Sequence, residues 1–250
     1  MKYNRLNFYK DKVAINLLAR DLENAIDIME VLGGNGLVGL LSKDYDTATE
    51  CVIAVKAYLK HMPNVSVGLG GGDPKQWAMA AEVASLTNPG HVNQTFTGAM
   101  YTEGLLKGRG CFDTVTNCMM YPTGVAGYVQ ISTGPVSDVN KKCIVDVETA
   151  VCMMKDLELP SIKFFNMQGL CHIEELKVLA KACVEHGIPI IEPTGGIDTD
   201  NVAQIVKVCV DAGVERVIPH IYSSIIDKDT KITNLKLVKQ AYDNIKAILS

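Results

Sequence analysis

Eight times along these 250 residues a short apolar run gives way to a longer segment whose apolar residues return every three to four positions. Buried strands that alternate with amphipathic helices lie parallel and are joined by right-handed crossovers. The runs are residues 13–18, 37–41, 65–69, 91–96, 114–119, 161–165, 189–192 and 216–220. Eight strand–helix pairs favour a closed barrel over an open doubly wound sheet. The expected fold class is α/β, a single (β/α)8 TIM barrel over residues 1–250. Local signals agree. Asp21 is placed to cap the first helix, which Gly33-Gly34 ends, and Asp73-Pro74 is a good cap and first-turn pair. The helix after strand seven is read over residues 199–212, and Thr233 is expected to cap the last one.

Residues 108–146 interrupt the rhythm. The segment from Tyr121 to Gly127 is turn chemistry and residues 128–132 read as another strand, so a β-hairpin inserted between strand five and its helix is expected. Such an arm is long for a strand-to-helix loop and serves as either a lid or an oligomer contact.

The chemistry concentrates in strands six and seven. Lys163 stands in the middle of Ser161-Ile-Lys-Phe-Phe165, where burying an ammonium is unfavourable unless it is paired or neutralised. A neutral lysine is a Schiff-base nucleophile. Glu192 and Thr194 share one face at the end of strand seven, and period-two alternation brings Glu192 beside Lys163 at the barrel mouth, where a carboxylate can move protons. The plainer alternatives are a snorkelling or salt-bridged lysine and a simple ion-pair partner for it. Gly195-Gly196 opens the next helix, so its amides can hold a phosphate, completed by Ser223 in the 221–224 segment after strand eight. Lys43, just past strand two, is a candidate carboxylate or phosphate ligand. Asn16, Asn93, Gln94, Asn117, Gln130 and His220 lie near strand ends and suggest a polar mouth.

These motifs resemble the class I aldolases that cleave 2-keto-3-deoxy-6-phosphogluconate and 4-hydroxy-2-oxoglutarate. The matching segments are Lys163-Phe-Phe-Asn166, where that family has K-F-F-P, and Pro193-Thr-Gly-Gly-Ile197. Leu18 to Ala25 and Val67 to Pro74 resemble its first and third strand-to-helix turns. The chain is most similar to the longer branch of 2-dehydro-3-deoxy-phosphogluconate aldolases associated with bacterial glucosaminate and hexonate breakdown. The resemblance implies a carbon–carbon lyase that forms an imine at Lys163 and holds the phosphate at Gly195, Gly196 and Ser223. Two departures stand out. Gly39 occupies the position of the family's strand-two glutamate base while Glu192 stands where the family has a small residue, which implies that the acid/base has moved to strand seven; the other is Asn166 in place of the proline. Rival readings are a metal-dependent pyruvate aldolase with Glu192 and a histidine as ligands, a sugar-phosphate-binding barrel without turnover, and a sugar-phosphate isomerase or epimerase.

Charge and cysteine content narrow the partners. A net charge of −4 without a dense basic run argues against nucleic acid or anionic membrane. No apolar run approaches the ~18 residues that span a bilayer, and the stretch from Met1 to Asn7 lacks a signal-peptide core. A cytoplasmic homo-oligomer acting on a small phosphorylated keto acid is expected, with no cofactor and no metal site. The eight cysteines include no C-x-x-C and read as reduced thiols.

Overall fold

The computed structural model describes residues 5–140 and 143–249. Residues 1–4 of the N-terminal stretch and residues 141–142 of the arm fall outside them. The strands in chain order are β1 (Ile15–Leu18), β2 (Gly36–Leu41), β3 (Val65–Gly68), β4 (His91–Val92), β5 (Val115–Pro122), β6 (Tyr128–Gln130), β7 (Ile144–Asp146), β8 (Ser161–Phe164), β9 (Ile190–Pro193) and β10 (Arg216–Val217). The helices are α1 (Leu22–Val31), α2 (Ala48–Leu59), α3 (Trp77–Thr87), α4 (Phe96–Gly108), α5 (Pro135–Asp138), α6 (Val147–Asp156), α7 (Ile173–His186), α8 (Val202–Asp211) and α9 (Leu235–Ile248).

Parallel pairing runs β1-β2-β3-β4-β5-β8-β9-β10, and each of these strands precedes a helix. The sheet curls until its edges meet. Val217 N donates to Lys12 O at 2.8 Å, Asn16 N to Pro219 O at 3.0 Å and Ile221 N to Asn16 O at 3.0 Å. The expected (β/α)8 barrel is thus present, and closure leaves no open edge among its eight parallel strands.

Alternation divides the side chains. In β8, Ile162 and Phe164 face the helices and share a core with Leu176, Leu179 and Cys183, while Lys163 faces the lumen. Ala14, Leu37, Val115, Ile190 and Ile218, near the strand starts, form a separate cluster with Leu6 that closes the lower end of the lumen. Above this apolar floor the lumen is polar.

Several boundaries differ from the sequence reading. The fourth strand is two residues long, because Gln94 N donates to Asn117 Oδ1 and Thr95 leads into α4. α8 starts at Val202, since the preceding amides of Asp200 and Asn201 are capped by Asp198 Oδ1. Asn234 caps α9, while Thr233 spends its hydroxyl on Leu18 O. Gln130 is not at the mouth. It lies in the arm, where its amide donates to Asp138 O.

The inserted hairpin is β6 and β7, which extend the end of β5 as antiparallel strands. Its base is fixed to α7 by the buried Glu175, which accepts from Thr123 N at 2.8 Å and Gly124 N at 3.1 Å. All eight cysteines are free; Cys51, Cys118, Cys183 and Cys209 are buried. No helix among the described residues is long and apolar enough to cross a membrane.

Candidate active site

A cavity of about 240 Å³ opens at the C-terminal ends of the strands, lined by Lys163, Phe165, Thr194, the Gly71-Gly72 and Gly195-Gly196 turns and the 220–223 segment. This is the end at which (β/α)8 barrels place their chemistry. Lys163 reaches it from below. Its side chain is 6% exposed, its Nζ donates to Asn93 Oδ1 at 2.8 Å, and it stands 5.9 Å from the centre of the Phe165 ring. Burial lowers its ammonium to about 8, against the pull of the Glu192 carboxylate. A useful fraction of the amine is therefore neutral near pH 7–8.

Lys163 and Glu192 are cross-strand partners in the β8–β9 ladder, as the alternation predicts. They form no ion pair. Glu192 is fully buried and lies outside the lining. Oε1 accepts from His91 Nε2 at 2.9 Å and Ser161 Oγ at 2.5 Å; Oε2 accepts from His220 Nε2 at 2.7 Å and Asn117 Nδ2 at 2.9 Å. Burial pushes this carboxyl upward, but the two histidines outweigh that and hold it well below the usual carboxylate range. It is a fixed negative charge with its lone pairs occupied.

The network continues in both directions from that charge. His91 Nδ1 faces Ser66 Oγ at 2.8 Å, and Ser66 Oγ accepts from Asn93 Nδ2 at 3.1 Å. Asn93 Oδ1 takes both Lys163 Nζ and Asn117 Nδ2, so Asn117, which also donates to Glu192, links the partner of Lys163 to the carboxylate. On the other side His220 Nδ1 meets the Tyr222 hydroxyl at 2.9 Å. His91 was absent from the expected site residues, although it shares a strand face with Asn93. Tyr222 lies in the 221–224 segment, which the sequence pattern singles out for Ser223 alone.

The glycine turn is built by close approach. Gly195 has φ +102° and Gly196 φ +67°, and a Cβ on Gly196 would lie 2.5 Å from Gly169 N. That neighbour is backbone and cannot rotate away. Gly196→Ala is therefore expected to cost about 1–3 kcal/mol, read as a lowered midpoint in thermal unfolding. The amides of Gly195, Gly196 and Ser223 have no acceptor among the described residues, and all three residues line the cavity. Because α8 starts later than expected, loop amides rather than a helix terminus would bind an anion here. Thr194 lines the cavity too, with its hydroxyl donated to Glu192 O. Lys43 does not. It is exposed, and its stem lies over Gly70, where a Cβ would come within 2.3 Å of Lys43 Cδ.

A side chain at Gly39 would have to displace the end of Leu18, whose Cδ2 a Cβ there would meet at 2.8 Å. Among the described residues, Glu148, Cys152 and His186 form the one group of three ligand-type side chains with mutually close donor atoms. None of them lines this cavity.

Comparison with known proteins adds an independent line. Residues 9–229 match the sequence model of a family described as KDGP aldolase. A 2-dehydro-3-deoxy-phosphogluconate aldolase of Salmonella typhimurium (strain 14028s / SGSC 2262) is 44% identical over 245 residues, covering 98% of this chain and 99% of the relative. Among solved structures, phosphoribosyl anthranilate isomerase from Thermotoga maritima superposes with TM-score 0.59 at 14% identity, over 94% of this chain and 99% of that one. A thiamine phosphate pyrophosphorylase from Pyrococcus furiosus gives 0.57 at 11%, over 96% and 98%. At such identities these two speak for the barrel alone.

Proposed function

This chain belongs to the KDGP aldolase family, and from that premise we propose that it is a Schiff-base aldolase that cleaves 2-dehydro-3-deoxy-6-phosphogluconate to pyruvate and glyceraldehyde 3-phosphate. The observation that carries the mechanism is the buried, partly neutral Lys163 amine facing the cavity.

Lys163 Nζ attacks the C2 ketone, and loss of water from the carbinolamine gives the iminium. The C3–C4 bond then breaks with its electron pair drawn toward the iminium nitrogen, the C4 hydroxyl gives up its proton, and the aldehyde departs. Protonation of the resulting enamine at C3 and hydrolysis return pyruvate and free Lys163. The loop amides of Gly195, Gly196 and Ser223 hold the phosphate, with Thr194 shaping the wall beside them. The substrate carboxylate lies toward the Gly71-Gly72 turn that lines the cavity, and Lys43 takes no part.

Cleavage is tested by incubating the purified chain with this keto acid before and after exhaustive chelation. Equal yields of pyruvate and glyceraldehyde 3-phosphate, unchanged by chelator, support the reading. Activity lost with the chelated metal would favour the metal-dependent alternative, and binding without products would favour a sensor. Attack requires the free amine, so kcat/KM is expected to rise with pH up to about 8 and level off above it. A flat profile from pH 6 to 9 would contradict a lysine nucleophile with that ionisation.

A further inference from the structure

Three titratable side chains line the cavity: Lys163, His220 and Tyr222. On the aldolase reading, which this inference rests on, Lys163 is consumed as the nucleophile. The proton released from the C4 hydroxyl must then go to one of the other two or to water. The carboxylate that sequence pattern assigns to this task is sealed beneath them, with both oxygens occupied.

The bonding around His220 fixes a direction. An ionised carboxylate only accepts, so His220 Nε2 carries the hydrogen donated to Glu192 Oε2 at 2.7 Å. His220 Nδ1 is then the lone pair, and the Tyr222 hydroxyl at 2.9 Å donates into it. The chain Tyr222–His220–Glu192 runs from the cavity wall to a buried negative charge, with a hydroxyl at its open end.

We infer that Tyr222 is the catalytic acid/base of the cleavage step, with His220 as the proton store behind it and Glu192 as the positioning residue that holds the ring. In the forward step the C4 O–H bond breaks and its proton passes to Tyr222 Oη. The Tyr222 proton passes to His220 Nδ1. The C4–O electrons form the aldehyde carbonyl, and the C3–C4 pair neutralises the iminium. Charge is conserved: one positive charge leaves the nitrogen of Lys163 and one arrives on the imidazole. The groups around the ring are Glu192, Lys163, His91 and Tyr222. Burial and the charge on Lys163 lower His220 to about 3, and Glu192 opposes them. The ring is therefore neutral at working pH, with its Nδ1 lone pair facing the Tyr222 hydroxyl. Discharge of the iminium removes the repulsion as the proton arrives, which couples bond cleavage to proton transfer. For enamine protonation the same proton returns by the same route.

Tyr222→Phe keeps the ring and removes the hydroxyl. Its kcat for cleavage is expected to fall by about 10²–10⁴-fold. Borohydride trapping of pyruvate on Lys163 should match the parent, since pyruvate forms its imine without any carbon–carbon cleavage. Cleavage within about threefold of the parent would overturn the assignment. Absence of trapping in the parent would instead sink the aldolase reading itself. Glu192→Gln supplies the readout for the positioning role. Trapped adduct per chain counts folded sites, and kcat per trapped site should fall with KM unchanged. A merely structural role would lower the number of sites and leave kcat per site intact.

Discussion

Lys163→Met will release no pyruvate from the keto acid, and it will unfold at a higher temperature than the parent. The first half follows from removing the one amine that faces the cavity among its described lining residues. The second follows from what that amine costs. Its ionisation drops from 10.5 to about 8 on burial, a difference worth on the order of 3 kcal/mol. The folded value lies below the unfolded one, so the unfolded chain binds more protons between about 8 and 10.5. The penalty is fully present below pH 8 and disappears as pH rises through that window. At pH 7 the methionine escapes it. Loss of the Nζ–Asn93 hydrogen bond, charge-assisted at this pH, offsets about 2 kcal/mol of that. The net gain of about 1 kcal/mol corresponds to roughly 2–4 °C in a domain of this size. Differential scanning calorimetry at pH 7 and pH 10.5 checks both parts, because the advantage of the variant should shrink at the higher pH. A variant less stable than the parent at pH 7 would show that Lys163 sits in its site at no cost.

Glu192→Ala should act in the opposite sense and with a larger effect. Four donors converge on this carboxylate from His91, Ser161, His220 and Asn117. They belong to four parts of the barrel wall: β4, β8, the segment after β10, and β5. Alanine leaves all four facing a dry void. Removing one partner of a buried charged network costs about 3–5 kcal/mol, which is a large share of the 5–15 kcal/mol typical of a folded domain. Urea unfolding followed by circular dichroism should show the midpoint fall accordingly. A change below 1 kcal/mol would mean that water enters and satisfies the donors.

The contrast between these two residues shows what pattern alone can and cannot deliver. A lysine interrupting an apolar run announces itself because burial of an ammonium is costly, and period-two alternation correctly makes it the ladder partner of Glu192. Adjacency within a sheet is a local property of the chain. The partners of Glu192 are set otherwise. His91 reaches it across the lumen from β4, and such contacts depend on strand tilt and stagger, which no local periodicity encodes. For the same reason Lys163 binds Asn93 rather than its ladder neighbour. The orientation of Tyr222 is a matter of loop geometry after a two-residue strand. Lys43 lies at the expected end of its strand, yet its stem is spent covering Gly70. The polar residues near strand ends illustrate both sides. Asn16, Asn93, Asn117 and His220 do belong to the lumen network, whereas Gln130 falls in the arm.

Reduction with borohydride in the presence of pyruvate, followed by peptide mass mapping, reaches the nucleophile itself. The account requires a single reduced pyruvyl adduct, located on Lys163 and absent when that residue is methionine. An adduct on another lysine, or none while cleavage proceeds at full rate, would contradict it.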